Sequence, residues 1–262
     1  MVNQLENRVA IVTGAGEGIG AAIAERFATE GAAVVVAEID AALGAATVER
    51  IEASGRTAIF VECDVSRRAD NEMMITSALQ RFGQLDILVN NAWGGGRISR
   101  VEHKTDDLID RAFAVGFRGP VWAMQAAFPA MRDRGYGRII NLCSLNGVNA
   151  HMGTFEYNTA KEALRTATRT AAREWASTGI VCNVICPGAK SAAFLRVMGE
   201  HPELLAAADA SNPMGRIGDP YADIAPVAVF LASEGCAYLT GNTLFVDGGS
   251  HINGSPWAPE LP

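Results

Sequence analysis

The short apolar run Val9–Thr13 breaks into Gly14-Ala15-Gly16-Glu17-Gly18-Ile19-Gly20 and continues as an amphipathic stretch as far as residue 30. A strand that turns through glycines directly into a helix is the opening of a βα unit, and a parallel strand buried on both faces needs such a crossover. The glycines also have a chemical reading. They permit a tight turn and let the backbone approach a pyrophosphate held at the positive end of the helix. A glycine cluster alone signals only a loop. One that follows a strand, opens a helix and is answered by an acidic residue at the end of the next strand is a dinucleotide signature. Glu38 is that acidic residue. Its carboxylate can accept from the adenosine ribose hydroxyls and would repel a 2′-phosphate. Glu17 adds a second negative charge, with no Arg or Lys nearby, so NAD is expected over NADP.

The same alternation runs along the whole chain. Strands are expected at 9–13, 33–39, 58–63, 87–90, 138–142, 181–185 and 243–246, and helices at 19–30, 41–54, 70–82, 106–132, 155–177 and 221–232. The strands are short and almost continuously apolar, as they are where both faces of a sheet are covered. The implied architecture is α/β, a doubly wound parallel sheet of seven strands with helices on both faces. No repeat, low-complexity tract or linker divides residues 1–262, so one domain is expected. The segment 189–216 breaks the rhythm. It carries Phe194, Leu195, Val197, Met198, Leu204, Leu205 and Met214, and reads either as a cover over a substrate or as a satellite cluster on the surface.

Composition narrows the function classes. The 262 residues carry a net charge of −7, and 49% are hydrophobic against 19% charged, which supplies a large core and argues against disorder. Basic runs are short, so nucleic acid is not an expected partner. No apolar stretch is long enough to span a bilayer, and the first residues lack a basic segment followed by an apolar one, so neither membrane nor secretion is indicated. Cys63, Cys143, Cys182, Cys186 and Cys236 are odd in number and mostly lie in apolar runs. They read as reduced, buried thiols of a cytoplasmic protein. His103, His151, His201 and His251 are scattered without metal-ligand spacing, and no metal is expected.

Chemistry is suggested by Tyr157-Asn158-Thr159-Ala160-Lys161, with Ser144 upstream at the end of another apolar run. A Tyr and a Lys at i and i+4 share one side of a helix. An ammonium beside a phenol favours the phenolate and is expected to lower the phenol pKa from about 10. Tyr157 is thus a candidate proton donor and acceptor, and Ser144 a partner for the same reacting oxygen.

Taken together, these motifs resemble the short-chain dehydrogenase/reductase family, in its branch with a single Rossmann-type domain and a Tyr-x-x-x-Lys pair. The resemblance extends from Thr13 to Gly249. It implies that Gly14, Gly18, Ile19 and Gly20 form the cofactor loop together with Glu17, that Asp64-Val65 receive the adenine, and that Asn91-Ala92 border the ribose. Ser144, Tyr157 and Lys161 fall on the catalytic positions, with Tyr157 and Lys161 also holding the cofactor, and Pro187-Gly188 on the turn beside the nicotinamide. Val246-Asp247-Gly248-Gly249 falls on the closing strand. A homotetramer is implied as the assembly.

Three positions depart from the family pattern. Trp93 replaces the glycine that usually follows Asn-Asn-Ala. Gly116 replaces an Asn thought to kink its helix and hold a relay water. Pro120, lacking an N–H, would leave the Gly116 carbonyl free to hold that water instead; alternatively, Gly116 makes room for a bulky substrate or a neighbouring helix. Ala192 stands where a Thr often binds the carboxamide, and Ser191 is a substitute. Trp93, Asn146, Met152 and Phe194 are expected to line the substrate pocket. Arg97 reads as a loop arginine or as a contact for an anionic group. The tail 250–262, with its prolines and Trp257, suits packing on a neighbouring subunit.

The expected activity is NAD-dependent interconversion of a secondary alcohol and a ketone, on a hydrophobic or cyclic substrate. Reduction of a 3-oxoacyl thioester is the alternative. A catalytically weak NAD-binding sensor or structural protein is the second, with Gly116 and Ala192 in its favour.

Overall fold

A computed structural model describes residues 3–191, 194–195 and 201–252. Seven strands form one sheet: β1 (Val9–Thr13), β2 (Ala33–Glu38), β3 (Ala58–Glu62), β4 (Ile87–Asn90), β5 (Gly137–Leu142), β6 (Ile180–Pro187) and β7 (Thr243–Val246). Their spatial order is β3-β2-β1-β4-β5-β6-β7, and every neighbouring pair is parallel. The strand order reverses between β1 and β4, so the carboxyl ends of these two strands flank a crevice.

Helices cover both faces. Against one face lie α1 (Gly18–Thr29) and the late helix Ala225–Ala232, through Ile23, Phe27, Ala228 and Leu231. Against the other lie α3 (Arg68–Phe82), α5 (Gly119–Arg134) and α7 (Phe155–Trp175), through Met74, Met124, Met131 and Ala171. The remaining α-helices among the described residues are α2 (Ala41–Ala53), α4 (Asp106–Phe113), the single turn α6 (Leu145–Val148) and α8 (Pro202–Ser211); Ala225–Ala232 is α9. Strands β1, β4 and β5 are buried at every residue, which explains why β1 and β4 run almost continuously apolar without alternation.

Two expected helices are interrupted. In place of a continuous helix over 106–132, α4 passes through a π-helical turn, Ala114–Arg118, before α5 begins. The Gly119 N–H bonds back to Ala114 O, five residues earlier. The helix expected at 221–232 starts as a second π turn, Pro220–Ile224, ahead of α9. In both cases a proline, Pro120 or Pro226, occupies the first turn of the following helix. A proline cannot donate to the carbonyl four residues back, and one widened turn lets it fall where no such donation is needed. The irregularity expected at Gly116–Pro120 therefore takes the form of a π turn spanning Gly116.

Within 189–216, α8 buries none of its residues. It is tied down by Lys190 Nζ to Asp209 Oδ2 at 3.0 Å and by the Asp209 carboxylate accepting from Ile217 N at 2.7 Å. Ala192, Val197, Met198 and the tail from residue 253 lie outside the described residues.

Candidate active site

At the carboxyl edge of the sheet, a cleft of about 980 Å³ runs across the switch point. One end is built from the β1–α1 loop. Gly14 has φ +62, and a Cβ there would lie 2.8 Å from Ala92 Cα; a Cβ on Gly20 would lie 2.1 Å from Gly14 O. Only glycine permits this folding of the loop onto itself and onto the strand beside it. The loop is cross-tied by Asn91, whose Nδ2 donates to Thr13 O and Gly14 O at 3.0 Å, while Asn91 N donates to Thr13 Oγ1. The Glu17 side chain makes no capping hydrogen bond to α1, and the first turn holds no acidic residue. Its backbone N–H groups therefore meet the cleft with a positive dipole end, a setting for phosphate oxygens.

Glu38 ends β2 and is 8% exposed. Its carboxylate accepts from Gly16 N at 3.0 Å, Ile39 N at 2.8 Å and Asp40 N at 3.2 Å. It thus locks the glycine loop to the β2–α2 turn and still lines the cleft. Next to it Ile39 is 61% exposed, an apolar surface where a 2′-phosphate site would need a cation. Asp64 Oδ1 accepts from Ser66 N and Oγ at 2.9 and 2.7 Å, which fixes the turn after β3. Gly18, Ile19, Glu17, Val65, Ala92 and Pro187 complete the expected residues on this wall. Gly188 lies behind the wall: its N–H bonds Val246 O at 2.8 Å, and a Cβ would meet Asp247 Cα at 2.8 Å. These glycines, the helix end and Glu38 together fit a nicotinamide dinucleotide.

The other end brings Ser144, Tyr157 and Lys161 together. Ser144 caps α6, its Oγ accepting from Asn146 N at 3.1 Å. Tyr157 and Lys161 lie on α7. Lys161 is 3% exposed, and its Nζ donates to Leu142 O at 2.7 Å. Here the structure corrects the expected pKa. The ammonium stands 5.9 Å from the Tyr157 ring centre and is turned to the Leu142 carbonyl. Burial therefore prevails and pushes the Tyr157 phenol up to about 12, with the Ser144 hydroxyl acting in the opposite direction. Burial likewise lowers the Lys161 ammonium from its usual value.

Trp93 lines the cleft and meets Tyr157 edge to face, ring centroids 4.7 Å apart at 77°. The other residues expected around a substrate are placed differently. Asn146 serves Ser144 through its backbone. Met152, 89% exposed, belongs to a separate apolar hollow beside Val101 and Phe155. Phe194 N donates to Ser191 Oγ at 3.2 Å, and Ser191 is the part of that segment that reaches the cleft among the described residues. The five cysteines are free and buried. Among the described residues no cluster of His, Cys, Asp or Glu could hold a metal, and no helix is long and apolar enough to cross a membrane.

Sequence reasoning missed an ion pair behind the site. Lys104 and Glu156 have side chains 1% and 2% exposed, with Nζ and Oε2 2.6 Å apart. Glu156 Oε1 also accepts from Arg97 N at 3.0 Å. Burial opposes ionisation of Glu156, but Lys104 and the backbone donors outweigh it and hold the carboxyl below its usual range. The available signal was Glu156 itself, a charged residue directly before Tyr157.

A family model described as enoyl-(acyl carrier protein) reductase matches residues 14–251. The 4-formylbenzenesulfonate dehydrogenase of Comamonas testosteroni is 38% identical over 260 residues, covering 95% of this chain and 99% of that protein. An (S)-acetoin-forming diacetyl reductase of Staphylococcus epidermidis is 34% identical over 254 residues, covering 93% and 98%. Among solved structures, a protein of Sinorhizobium meliloti provisionally described as a short-chain alcohol dehydrogenase superposes with a TM-score of 0.89 at 34% identity, over 96% of this chain and 99% of the other.

Proposed function

The chain belongs to the short-chain dehydrogenase/reductase family and is an oxidoreductase of that type, and from that premise we propose that it interconverts a secondary alcohol and a ketone with NAD. The observation that carries the reading is the convergence of Ser144, Tyr157 and Lys161 at one end of a cleft whose other end is a glycine loop closed by Glu38. Bound there, the nicotinamide would accept or return a hydride. Gly14, Gly18 and Ile19 would hold the pyrophosphate on the α1 terminus, Glu38 the ribose hydroxyls, and Asp64 and Val65 the adenine.

Tyr157 then takes the hydroxyl proton of an alcohol, or returns it to a ketone oxygen. Ser144 donates to the same oxygen and stabilises charge developing on it. Lys161, buried and anchored on Leu142, places positive charge behind the phenol. The preference for NAD is supported by Glu38, by the exposed Ile39 and by Asp40 after it. Among the described residues, the cations that line the cleft are Arg111, Arg118 and Lys161, none of them on the β2–α2 turn. Trp93 at the reacting end supports a substrate with an apolar or cyclic body. The named relatives act on an aromatic aldehyde-bearing sulfonate and on a small diketone, and both classes belong in the trial set. The apolar hollow around Met152 and the fully exposed Tyr238 support a homotetramer, and five free thiols support a reducing, cytoplasmic setting.

The test is a panel of secondary alcohols, aryl carbinols, aromatic aldehydes, diketones and hydroxyketones, followed by absorbance of the reduced nicotinamide, with NAD and NADP in parallel. Turnover with NAD supports the proposal. A preference for 3-oxoacyl thioesters with NADP would replace it with the acyl-reductase reading. Tight NAD binding without turnover of any substrate would favour the sensor.

A further inference from the structure

Two departures from the family pattern, distant in sequence, meet in space. A Cβ on Gly116 would lie 2.8 Å from Trp93 Cζ3, 3.3 Å from Trp93 Cε3 and 3.2 Å from Ala160 Cβ. The indole thus fills the volume that a side chain at position 116 would need. The same ring stands edge to face with Tyr157 at 4.7 Å, and the Lys161 ammonium lies 5.6 Å from its centre. Both arrangements are attractive, and the second gains as water is excluded. The segment following Trp93 is clamped from behind: Glu156 holds Arg97 N, and Lys104 donates to Arg97 O and, at 3.0 Å, to Gly153 O. Gly96 is also tight against this clamp, since a Cβ there would lie 2.8 Å from Glu156 Oε1.

Resting on the reading of Tyr157 as the proton-transfer group, we propose that Trp93 is a positioning residue for it. The indole is a wedge, seated over Gly116 and locked by the Lys104–Glu156 clamp, that fixes the phenol ring and keeps water from the Tyr157–Lys161 pair. A ring gripped along one edge has little freedom to turn its hydroxyl away from Ser144. The titratable and charged groups around the phenol are Lys161 on its own helix, Cys143 after β5 and Cys186 in β6, with Asp110 and Arg111 of α4 on the cleft wall. With no carboxylate among the residues acting on the phenol, its solvation is governed by what packs on it, and Trp93 is the largest such side chain.

The experiment reads Tyr157 ionisation directly, by near-ultraviolet phenolate absorbance. Tyr157→Phe serves as the blank that subtracts Tyr136, Tyr221 and Tyr238. No substrate is involved, so the outcome is independent of whether the proposed oxidoreduction is right. Trp93→Ala admits water and moves the Tyr157 titration down by roughly one pH unit or more, while Trp93→Phe, retaining an aromatic wedge, stays nearer wild type. Gly116→Ala displaces the indole and shifts the titration in the wild-type background, yet adds nothing once Trp93 is alanine, the non-additivity expected of a shared contact. If the alanine variant does not fold, Trp93→Leu gives the same comparison. An unmoved titration after removal of the indole, or an equal effect of Gly116→Ala with and without it, overturns the wedge. If the titrations behave as expected but wild type oxidises no alcohol, the functional reading fails and the wedge stands.

Discussion

A desolvated phenol resists ionisation, and at Tyr157 the hydroxyl of Ser144 acts against that resistance. Proton removal from an alcohol needs the phenolate, so kcat/KM for oxidation should rise with pH through the alkaline range. Reduction needs the protonated phenol and should decline only as pH passes the same group's pKa. Initial rates in both directions across pH, with Ser144→Ala alongside, check this. Losing the serine donor should lower kcat about 10²–10³-fold, the usual loss for one donor to a developing oxyanion. Rates independent of pH in both directions would count against Tyr157 as the proton carrier. Cofactor choice belongs to the same scale. Glu38→Ser combined with Ile39→Arg removes a carboxylate and adds a cation on the β2–α2 turn, and should move the NADP-to-NAD ratio of kcat/KM upward by about tenfold or more, a change of about 1.4 kcal/mol. An unchanged ratio would mean that the preference is set elsewhere, with Arg118 the first place to look.

Among the elements, the segment between β4 and α4 owes its course to the Lys104–Glu156 pair. Removing one partner of a buried ion pair leaves the other charge uncompensated, at a cost of about 3–5 kcal/mol. Lys104→Met should therefore lower the thermal midpoint markedly, while replacing both residues, Lys104→Met with Glu156→Leu, recovers much of the loss; differential scanning calorimetry distinguishes the two. The strands were readable to within a residue or two because their apolar runs are bounded by glycines and polar turns, and all seven appear in the expected positions. Of the two helix breaks, the one at Gly116–Pro120 was foreshadowed by the proline and the one at Pro220–Ile224 was not. The local sign of such a turn is a proline such as Pro120 or Pro226 whose N–H is missing from the ladder. The residues of the candidate site were legible for a similar reason: Ser144, Tyr157, Lys161 and the glycine loop sit at fixed places relative to strands β1 and β5 and helix α7. Three-dimensional couplings were not legible. Nothing in the spacing of Trp93 and Gly116 says that one occupies the other's space, and the expected lowering of the Tyr157 pKa failed because Leu142 O, not the phenol, receives the Lys161 ammonium.

For the whole molecule, buried acids make folding sensitive to alkali. Burial raises the thiols of Cys63, Cys143, Cys182 and Cys186 from 9.0 to about 12, and Tyr157 from 10.0 to about 12. With folded values above unfolded ones, these groups contribute stability that is fully present below pH 9 and is lost as pH rises toward 12. The unfolded chain releases their protons first, and each group adds a slope of at most about 1.4 kcal/mol per pH unit. Lys161, lowered by burial, has the opposite sign but is a single group. Urea midpoints should therefore be flat near neutrality and fall steeply above pH 9; a midpoint constant to pH 11 would contradict this burial. The proposed activity of the molecule as a whole is hydride transfer coupled to a proton carried by Tyr157. The most direct measurement compares wild type with Tyr157→Phe for formation of reduced nicotinamide from NAD and the best alcohol of the panel, with NADH affinity determined for both. The expected result is that affinity is retained and turnover drops by about 10²–10⁴-fold, the range for loss of a general acid–base. Turnover that survives in Tyr157→Phe with wild-type pH dependence would contradict the mechanism at its centre.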